Sequence, residues 1–342
     1  MSAVDRYYAA ACQLDLPNPK QRDEISSRVT HLLEMVDHAV VGYAPMFDVR
    51  LVVFPEFAHA APIYPTVEHL YERLAVPLPN EHTDRYAQKA RQLGVYIQTG
   101  TFLECDPRWP GHVFNTTCLI GPEGLLAKYR KVHTWTPWEL HTSPHDLSGY
   151  DEPLFPVTPT EIGRLGAAIC YDWLFPEAIR QLALAGAEVF VRVSAYMDPW
   201  GTAPPLDWWT LINRARAIEN MGYVVAANQA AQPGHYPPFS WPGGSMIVDY
   251  DGRVLAQAEP GPGEKIVVGP IDLAALRAER ERRCAHHMLA NLRTEAYPAY
   301  SRPVYPRGQA DAGPLTKEGN EEATRQGRQA LTAEAGHRAR AT

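Results

Sequence analysis

Leu165-Gly-Ala-Ala-Ile-Cys170-Tyr-Asp-Trp-Leu-Phe-Pro-Glu177 joins an apolar run to a thiol, and a helix signal follows within a few residues. The run reads as a buried strand. Pro176 supplies the fixed φ that opens a helix, whose Ala178, Ile179, Leu182 and Ala183 form one apolar face. A cysteine just past a strand, near the free N–H groups of a turn and helix start, sits where a thiolate can be stabilised and reached. Cysteine is also among the most buried residue types, so the position alone leaves an inert core thiol open.

Working outward, one order of elements occurs twice. In the first half, 7–14 reads as a strand, 23–40 as a helix and 51–55 as a short buried strand. Thr83 can cap a helix running to Leu93, with Gly94 as its stop. Strands follow at 95–102 and 114–120, and Gly121-Pro-Glu-Gly124 turns the chain into 125–129. In the second half, 165–170 is a strand, the Pro176 helix ends at Gly186, and 188–194 is a strand. Asp207 can cap a helix through Met221, closed by Gly222. Strands then come at 223–228, 245–250 and 254–258, the last two joined by Asp251-Gly252. Both halves read β-α-β-α-β-β-β.

Two helices cover one face of each sheet, so the other faces are buried most economically against each other. The expected fold class is α/β, a four-layer α-β-β-α sandwich of two packed mixed sheets. Two separate α/β domains would need a central linker, and 131–162 carries too many tryptophans, histidines and carboxylates for one. Residues 1–280 are expected to form this domain. Residues 281–307, with His286, His287, Met288, Leu289, Tyr297 and Tyr300, read as a C-terminal arm that docks, on another subunit among other choices. From 308 to 342, Gly, Ala, Glu, Arg and Thr dominate, and a disordered polar tail is expected.

Composition narrows the function. The 342 residues are 45% hydrophobic, which suits a globular chain, and the formal net charge of −7 argues against a nucleic-acid partner. Five cysteines at no ligand-like spacing argue against a disulfide framework or a zinc site. The start, Met-Ser-Ala-Val-Asp-Arg-Tyr-Tyr, shows no secretory signal. The most apolar stretch, 182–193, is broken by Glu188 and Arg192, so no membrane partner is expected and the reading is cytoplasmic.

Partners for the thiol come from other strand ends. Glu56 ends Leu51-Val-Val-Phe-Pro55, and partial burial there would raise its pKa toward that of a general base. A turn cap or a surface ion pair is the plainer alternative. Lys131 lies in Lys128-Tyr-Arg-Lys131, where alternation can send one lysine into a sheet-end cleft to stabilise an oxyanion. A solvated edge would account for Lys128 or Arg130.

Glu, Lys and Cys at three strand ends, in that order, resemble the nitrilase (carbon–nitrogen hydrolase) superfamily. The matching motifs are Val53-Phe-Pro-Glu56, Lys128-Tyr-Arg-Lys131 and Ala168-Ile-Cys170-Tyr-Asp-Trp-Leu-Phe-Pro-Glu177, with Asn213-Arg-Ala-Arg-Ala-Ile-Glu-Asn220 and Tyr223-Val-Val-Ala-Ala-Asn228. The likeness covers roughly residues 6–300 and is specific through order and spacing. It implies the α-β-β-α fold, assembly into homodimers or larger homo-oligomers, and no cofactor or metal.

Lys131-Val-His-Thr-Trp-Thr-Pro-Trp-Glu139 and Val191-Arg-Val-Ser-Ala-Tyr-Met-Asp-Pro199 look like the aliphatic amidase and formamidase branch. Trp135, Pro137 and a glutamate eight residues past the lysine carry that likeness. The resemblance then implies Cys170 as nucleophile, Glu56 as general base and acid, Lys131 as oxyanion stabiliser and Glu139 as positioning residue. Tyr171, Trp135, Trp173 and Tyr196 are candidates for substrate contact, the last three equally well placed in a core. Tyr171 and Trp173 depart from the usual amidase residues, and Trp200 with 204–209 adds aromatic bulk, which suits an amide larger than acetamide.

The expected reaction is hydrolysis of a small non-peptide amide, most simply a primary aliphatic or arylaliphatic one, through a cysteine thioester. Nitrile hydrolysis is the nearest alternative, although nitrilases of the family carry Trp-Glu where this chain has Tyr171-Asp172. N-carbamoyl amide hydrolysis would want a basic clamp that the sequence does not place. A Cys–His protease using His133 lacks the usual surroundings of its cysteine. A metal site from His141, His145 and Asp146 is opposed by Pro144. A non-catalytic protein of the same fold would have no use for a thiol beside a base. Arg214, Arg216 and Glu219 are expected to form structural ion pairs rather than an anion site.

Overall fold

Strand β1 (Arg6–Asp15) touches three other strands, and the fold is laid out from it. The structure, a computed structural model, describes residues 4–16, 19–135, 139–197, 207–230 and 241–341, with side chains to residue 331. On one side of β1 runs β2 (Val49–Val53), parallel to it, followed by β3 (Tyr96–Glu104), β4 (Phe114–Gly121) and β5 (Gly124–Arg130). The second sheet runs in order through β6 (Val157–Thr160), β7 (Gly163–Ile169), β8 (Val189–Ser194), β9 (Tyr223–Ala230), β10 (Met246–Val248) and β11 (Val254–Gln257). On the other side of β1 lies β12 (Lys265–Asp272), antiparallel. The sheets join where Leu14 and Asp15 of β1 pair with Gln229 and Ala230 of β9.

Period-two alternation assigns each strand's two faces to different cores. Ala9, Ala11, Leu51 and Val53 enter the core between the sheets with Val191, Val193 and Val225. Their neighbours Ala10, Cys12, Val52 and Phe54 pack outward against α1 (Ile25–Val40) and, after the short α2 (Val67–Arg73), α3 (Glu81–Leu93). Helix α1 buries Ile25, Val29, Leu32, Val36 and Ala39, a single stripe at helical spacing. Helices α4 (Pro176–Leu184) and α5 (Trp208–Asn220) cover the second sheet through Ile179, Leu182 and Ala217. The result is the expected α-β-β-α sandwich.

Several details differ from the sequence reading. Asn80, not Thr83, caps α3: its side chain accepts the His82 and Thr83 N–H groups, and the Thr83 hydroxyl oxygen accepts the Asn80 N–H in return. Strand β12 escaped notice because Gly269 and Pro270 interrupt its pattern; at a sheet edge a missing N–H costs nothing. It leads into α6 (Leu273–Arg282).

The tail is helical where disorder is expected, forming α7 (Lys317–Ala341). Its alanines, glutamates, glutamines and arginines are strong helix formers, and composition counted only the shortage of large apolar groups. A few small contacts dock it. Ala310 and Leu315 pack with Phe114 and Leu147, the Ala310 N–H donates to the Asp146 carbonyl, and Asn320 and Ala323 are buried. The preceding arm lies on α4, where Leu184, Leu292, Tyr297 and Tyr300 line a cavity of about 590 Å³.

Arg130 is not a solvated edge residue. Burial of its guanidinium is offset by Glu104, whose two oxygens it meets at 2.7 and 2.9 Å, and by Asp106 at 2.6 Å, while Lys128 reaches Glu104 at 2.6 Å. Replacing Arg130 by Met would leave buried Glu104 with Lys128 as its remaining cation and the Thr116 hydroxyl as a neutral donor. We expect denaturant unfolding of Arg130→Met to show a loss of about 3 kcal/mol or more, as for other broken buried pairs.

Candidate active site

Glu56 is placed by a turn that begins as soon as β2 ends. Phe57 takes φ 58°, a left-handed conformation that a bulky side chain adopts only under constraint. The turn presses on β3 so closely that a Cβ on Gly100 would lie 2.5 Å from the Pro55 carbonyl oxygen. Only glycine leaves that space. The Glu56 carboxylate is then fully enclosed. Its Oε1 accepts from Lys131 Nζ and Asn115 Nδ2, both at 2.8 Å, and Oε2 accepts the Ala195 N–H at 2.9 Å. Gln229 Nε2 donates to its backbone carbonyl at 2.7 Å.

Alternation explains how Lys131 arrives there. Lys128 and Arg130 project to Glu104 on one side, whereas Tyr129 and Lys131 project into the space between the sheet ends. The Lys131 N–H donates to the Asn115 carbonyl, extending the ladder by one rung, and its ammonium meets both Glu139 oxygens at 2.8 Å. Glu139 is held in turn by the Trp135 N–H at 2.7 Å.

Cys170 stands at the end of β7 with φ 44°, left-handed like Phe57, and is partly exposed. The fully buried carboxylate of Asp172 fixes this elbow. It accepts the Ile169 N–H at 3.0 Å, the Tyr129 hydroxyl at 2.7 Å, the His133 N–H at 2.8 Å and His133 Nδ1 at 2.9 Å. One side chain therefore ties the Cys170 segment to the Lys131 segment. Beneath it, Trp173 Nε1 donates to the Ala168 carbonyl at 3.0 Å, and Arg216 Nε to the Trp173 carbonyl at 3.1 Å.

Electrostatics separate the two glutamates. Burial pushes Glu56 up from the ordinary carboxylate value, with Lys131 opposing and Glu139 reinforcing the rise. Burial also acts against Glu139, but Lys131, His141 and the Trp135 N–H outweigh it and hold that carboxyl low. Lys131 stays an ammonium: desolvation disfavours the charge, yet Glu139 and Glu56 more than compensate. The Cys170 thiol is pushed well up by burial and by Glu56, with Lys131 and Arg192 pulling the other way. A protonated thiol beside an ionisable carboxyl and a fixed cation can hand its proton to that carboxyl when a carbonyl carbon approaches.

The structure gathers Glu56, Lys131 and Glu139 in one bonded cluster, and the charge of each is felt at Cys170. Tyr171 borders a cavity of about 290 Å³ with His133, His145, Phe175, Tyr305 and Thr324. Trp173 is fully buried, 5.4 Å from the Arg192 guanidinium carbon and bonded through its carbonyl to Arg216 of α5, so it is not a pocket wall, and Tyr196 is nearly so, packed 5.7 Å from the Trp209 ring. Trp135 is half-buried and touches the site through its backbone. His133 is engaged with Asp172 and stacked on Phe175 at 4.0 Å, which leaves no Cys–His pair.

Among the described residues no group of three or more His, Cys, Asp or Glu side chains is placed to hold a metal ion. His141 is buried and kept neutral, its pKa pushed down to about 4 by desolvation. Arg214 bonds the Gly252 carbonyl and Arg216 pairs with Glu219, a structural use of both. Pro137, Trp200 and 204–206 lie outside the described residues. Sequence reasoning missed Asn115, Asp172 and Arg192. A polar residue opening the strand Phe-Asn-Thr-Thr, an acid two places past the cysteine and an arginine amid valines were the available signals.

A model of the carbon–nitrogen hydrolase family matches residues 8–281. A deaminated glutathione amidase of Mus musculus is 36% identical over 214 residues, 61% of this chain and 64% of that protein. The chain thus spans a little under two thirds of that relative's length. A formamidase of Bacillus cereus is 29% identical over 265 residues, 76% of this chain and 73% of its own. The crystal structure of a carbon–nitrogen hydrolase from Helicobacter pylori superposes with a TM-score of 0.68 at 21% identity, covering 87% of this chain and 99% of that one, which is a likeness of fold.

Asp172→Asn would keep the shape of the elbow but replace one acceptor oxygen by an NH2 group, leaving two of the four donors without an acceptor. We expect urea unfolding to show a loss of about 1–3 kcal/mol from the unsatisfied buried groups. An unchanged midpoint would mean that Asp172 does not hold the two segments together.

Proposed function

We propose that this chain, which belongs to the carbon–nitrogen hydrolase family, is a thiol amidohydrolase acting on small linear amides, primary aliphatic or arylaliphatic ones first. The observation that carries this reading is the enclosed Glu56–Lys131–Glu139 cluster opening onto the Cys170 elbow. In the proposed reaction Glu56 accepts the Cys170 proton and the thiolate attacks the amide carbonyl carbon. Lys131 and the Tyr171 N–H meet the oxygen as it becomes negative. Collapse expels ammonia or an amine, which takes its proton from Glu56 and leaves a thioester on Cys170. Water, deprotonated by Glu56, then attacks that thioester; the Cys170 thiolate leaves and takes the proton back from Glu56, and the released acid gives its own proton to solvent to become the carboxylate.

The two glutamates take different parts because their environments differ. Glu56, with its raised pKa, can both take and return a proton. Glu139, held ionised, fixes the Lys131 ammonium and shares its charge. Likeness to formamidases and to deaminated glutathione amidases favours amides as the substrate class. The exposed Leu184, Leu211 and Ile218 on α4 and α5 support a homo-oligomer, measurable by sedimentation.

Formamide, acetamide, aryl amides, nitriles and N-carbamoyl amino acids should be assayed together, and the mass added to Cys170 during turnover measured. Amide turnover with an acyl mass on Cys170 is expected; nitrile turnover without amide turnover would overturn the reading. Cys170→Ala should abolish activity in a folded protein, and Glu56→Gln should lower it by at least about 10²-fold. The base must be ionised to work, and burial raises its pKa. The acid limb of kcat/KM should therefore lie above the ordinary carboxylate value of 4.5, with activity lost as pH falls through it.

A further inference from the structure

Arg192 is the buried charge that the mechanism above does not use. It projects from β8 at the position paired with Ala168, two residues before the nucleophile on β7. Its side chain is fully enclosed, and its guanidinium carbon lies 4.2 Å from the Trp209 ring centre, 5.3 Å from Tyr196 and 5.4 Å from Trp173. Its polar partners are neutral: Nε donates to Ser194 Oγ at 3.1 Å and Nη1 to Asn213 Oδ1 at 2.9 Å. Nη2 is buried with no hydrogen-bond partner. A buried arginine is ordinarily matched to a carboxylate, and among the described residues none pairs with it.

Counting charge around the thiol gives this solitary cation a purpose. Glu56 after β2 and Glu139 in the loop past β5 bring two negative charges, and Lys131 brings one positive. Tyr171 and His141 are neutral neighbours and Arg216 is paired with Glu219, whereas Asp172 adds a carboxylate whose donors include the Tyr129 hydroxyl and the backbone N–H groups of Ile169 and His133, so its charge is not cancelled. With Glu56 and Glu139 ionised, the set beside Cys170 is net negative and opposes a thiolate. Arg192 offsets one of those charges, and a proton moving from Cys170 to Glu56 leaves the balance unchanged.

We propose that Arg192 is a positioning residue for the reaction, a deliberately unpaired guanidinium whose charge supports the Cys170 thiolate across the β7–β8 pair. It rests on the nucleophile reading of the preceding subsection. The aromatic cage supplies what a carboxylate otherwise would, because flat rings accept a guanidinium face without cancelling its charge. Lysine lacks the flat group that stacks on Trp209, so Arg192→Lys should restore the charge effect only in part.

The test is the pH dependence of Cys170 alkylation by iodoacetamide, read by peptide mass because Cys284 is exposed and Cys105 is half-exposed. Asn213→Asp is nearly isosteric and places a carboxylate on the guanidinium, and Arg192→Met removes the cation. Both should move the Cys170 midpoint up by about one unit, with about tenfold slower alkylation at pH 7 that converges with wild type at high pH. Should Arg192→Met fail to fold, Asn213→Asp decides alone. A folded Asn213→Asp protein with an unmoved curve overturns the proposal, since a merely structural arginine would gain stability from the new pair and leave the thiol unaltered. Wild-type Cys170 that never labels would sink the nucleophile reading instead, and this inference with it.

Discussion

A lysine ammonium with almost no exposure is the interaction on which the rest of this molecule turns. Moving such a charge out of water costs several kcal/mol even after relaxation, and the loss is recovered only with near-ideal partners. Glu56 and Glu139 meet Lys131 at 2.8 Å, and they arrive from different parts of the chain. For both to be present, β2 must end in a left-handed turn against Gly100 and the loop after β5 must fold back on itself. Asn115 then serves both sides, with its side chain on Glu56 and its carbonyl on the Lys131 N–H. The catalytic geometry is thus inseparable from the means of keeping a buried cation tolerable.

The nucleophile is fastened by different means. Asp172 works as a buried acceptor hub, drawing donors from β7 and from the segment around Tyr129 and His133. Arg216 and Trp173 hold the far side of the elbow through backbone carbonyls. Strain at Cys170 is sustained because these bonds surround it, in keeping with left-handed non-glycine residues at reactive positions. The two sheets carry the two halves of the site, and the space between their ends is where the halves confront each other.

Much of this was legible from residues alone. Strand periodicity, Gly94 and Gly186 as stops and Pro176 as a start gave the duplicated order of elements, and the duplication gave the sandwich. Glu56, Lys131 and Cys170 stood out because strand ends are where side chains leave the core. Asn115 and Arg192 did not, since the partner of a polar residue within a strand depends on sheet register, and register is not written locally. Trp173 was ambiguous for the same reason. Its place under the elbow follows from the packing of α5 against β8 and not from its neighbours in sequence. The tail was misread because docking needed only Ala310, Leu315 and Ala323, too few to colour a composition.

Strand β1 has a consequence for the order in which the molecule comes into being. It is made before every other strand of this fold, yet its antiparallel partner β12 lies beyond residue 264, with Arg6 opposite Asp272. Until that strand emerges, one edge of the central strand stays open, and the second sheet, which brings Cys170, shares strand pairing with the first at Leu14 and Asp15. Such distant pairings make folding slow and place its completion after synthesis of the core. Glu56, Lys131 and Glu139 all come from the first half of the chain, whereas the thiol and the Ala195 N–H that binds Glu56 come from the second, so the site is whole only once both halves have met.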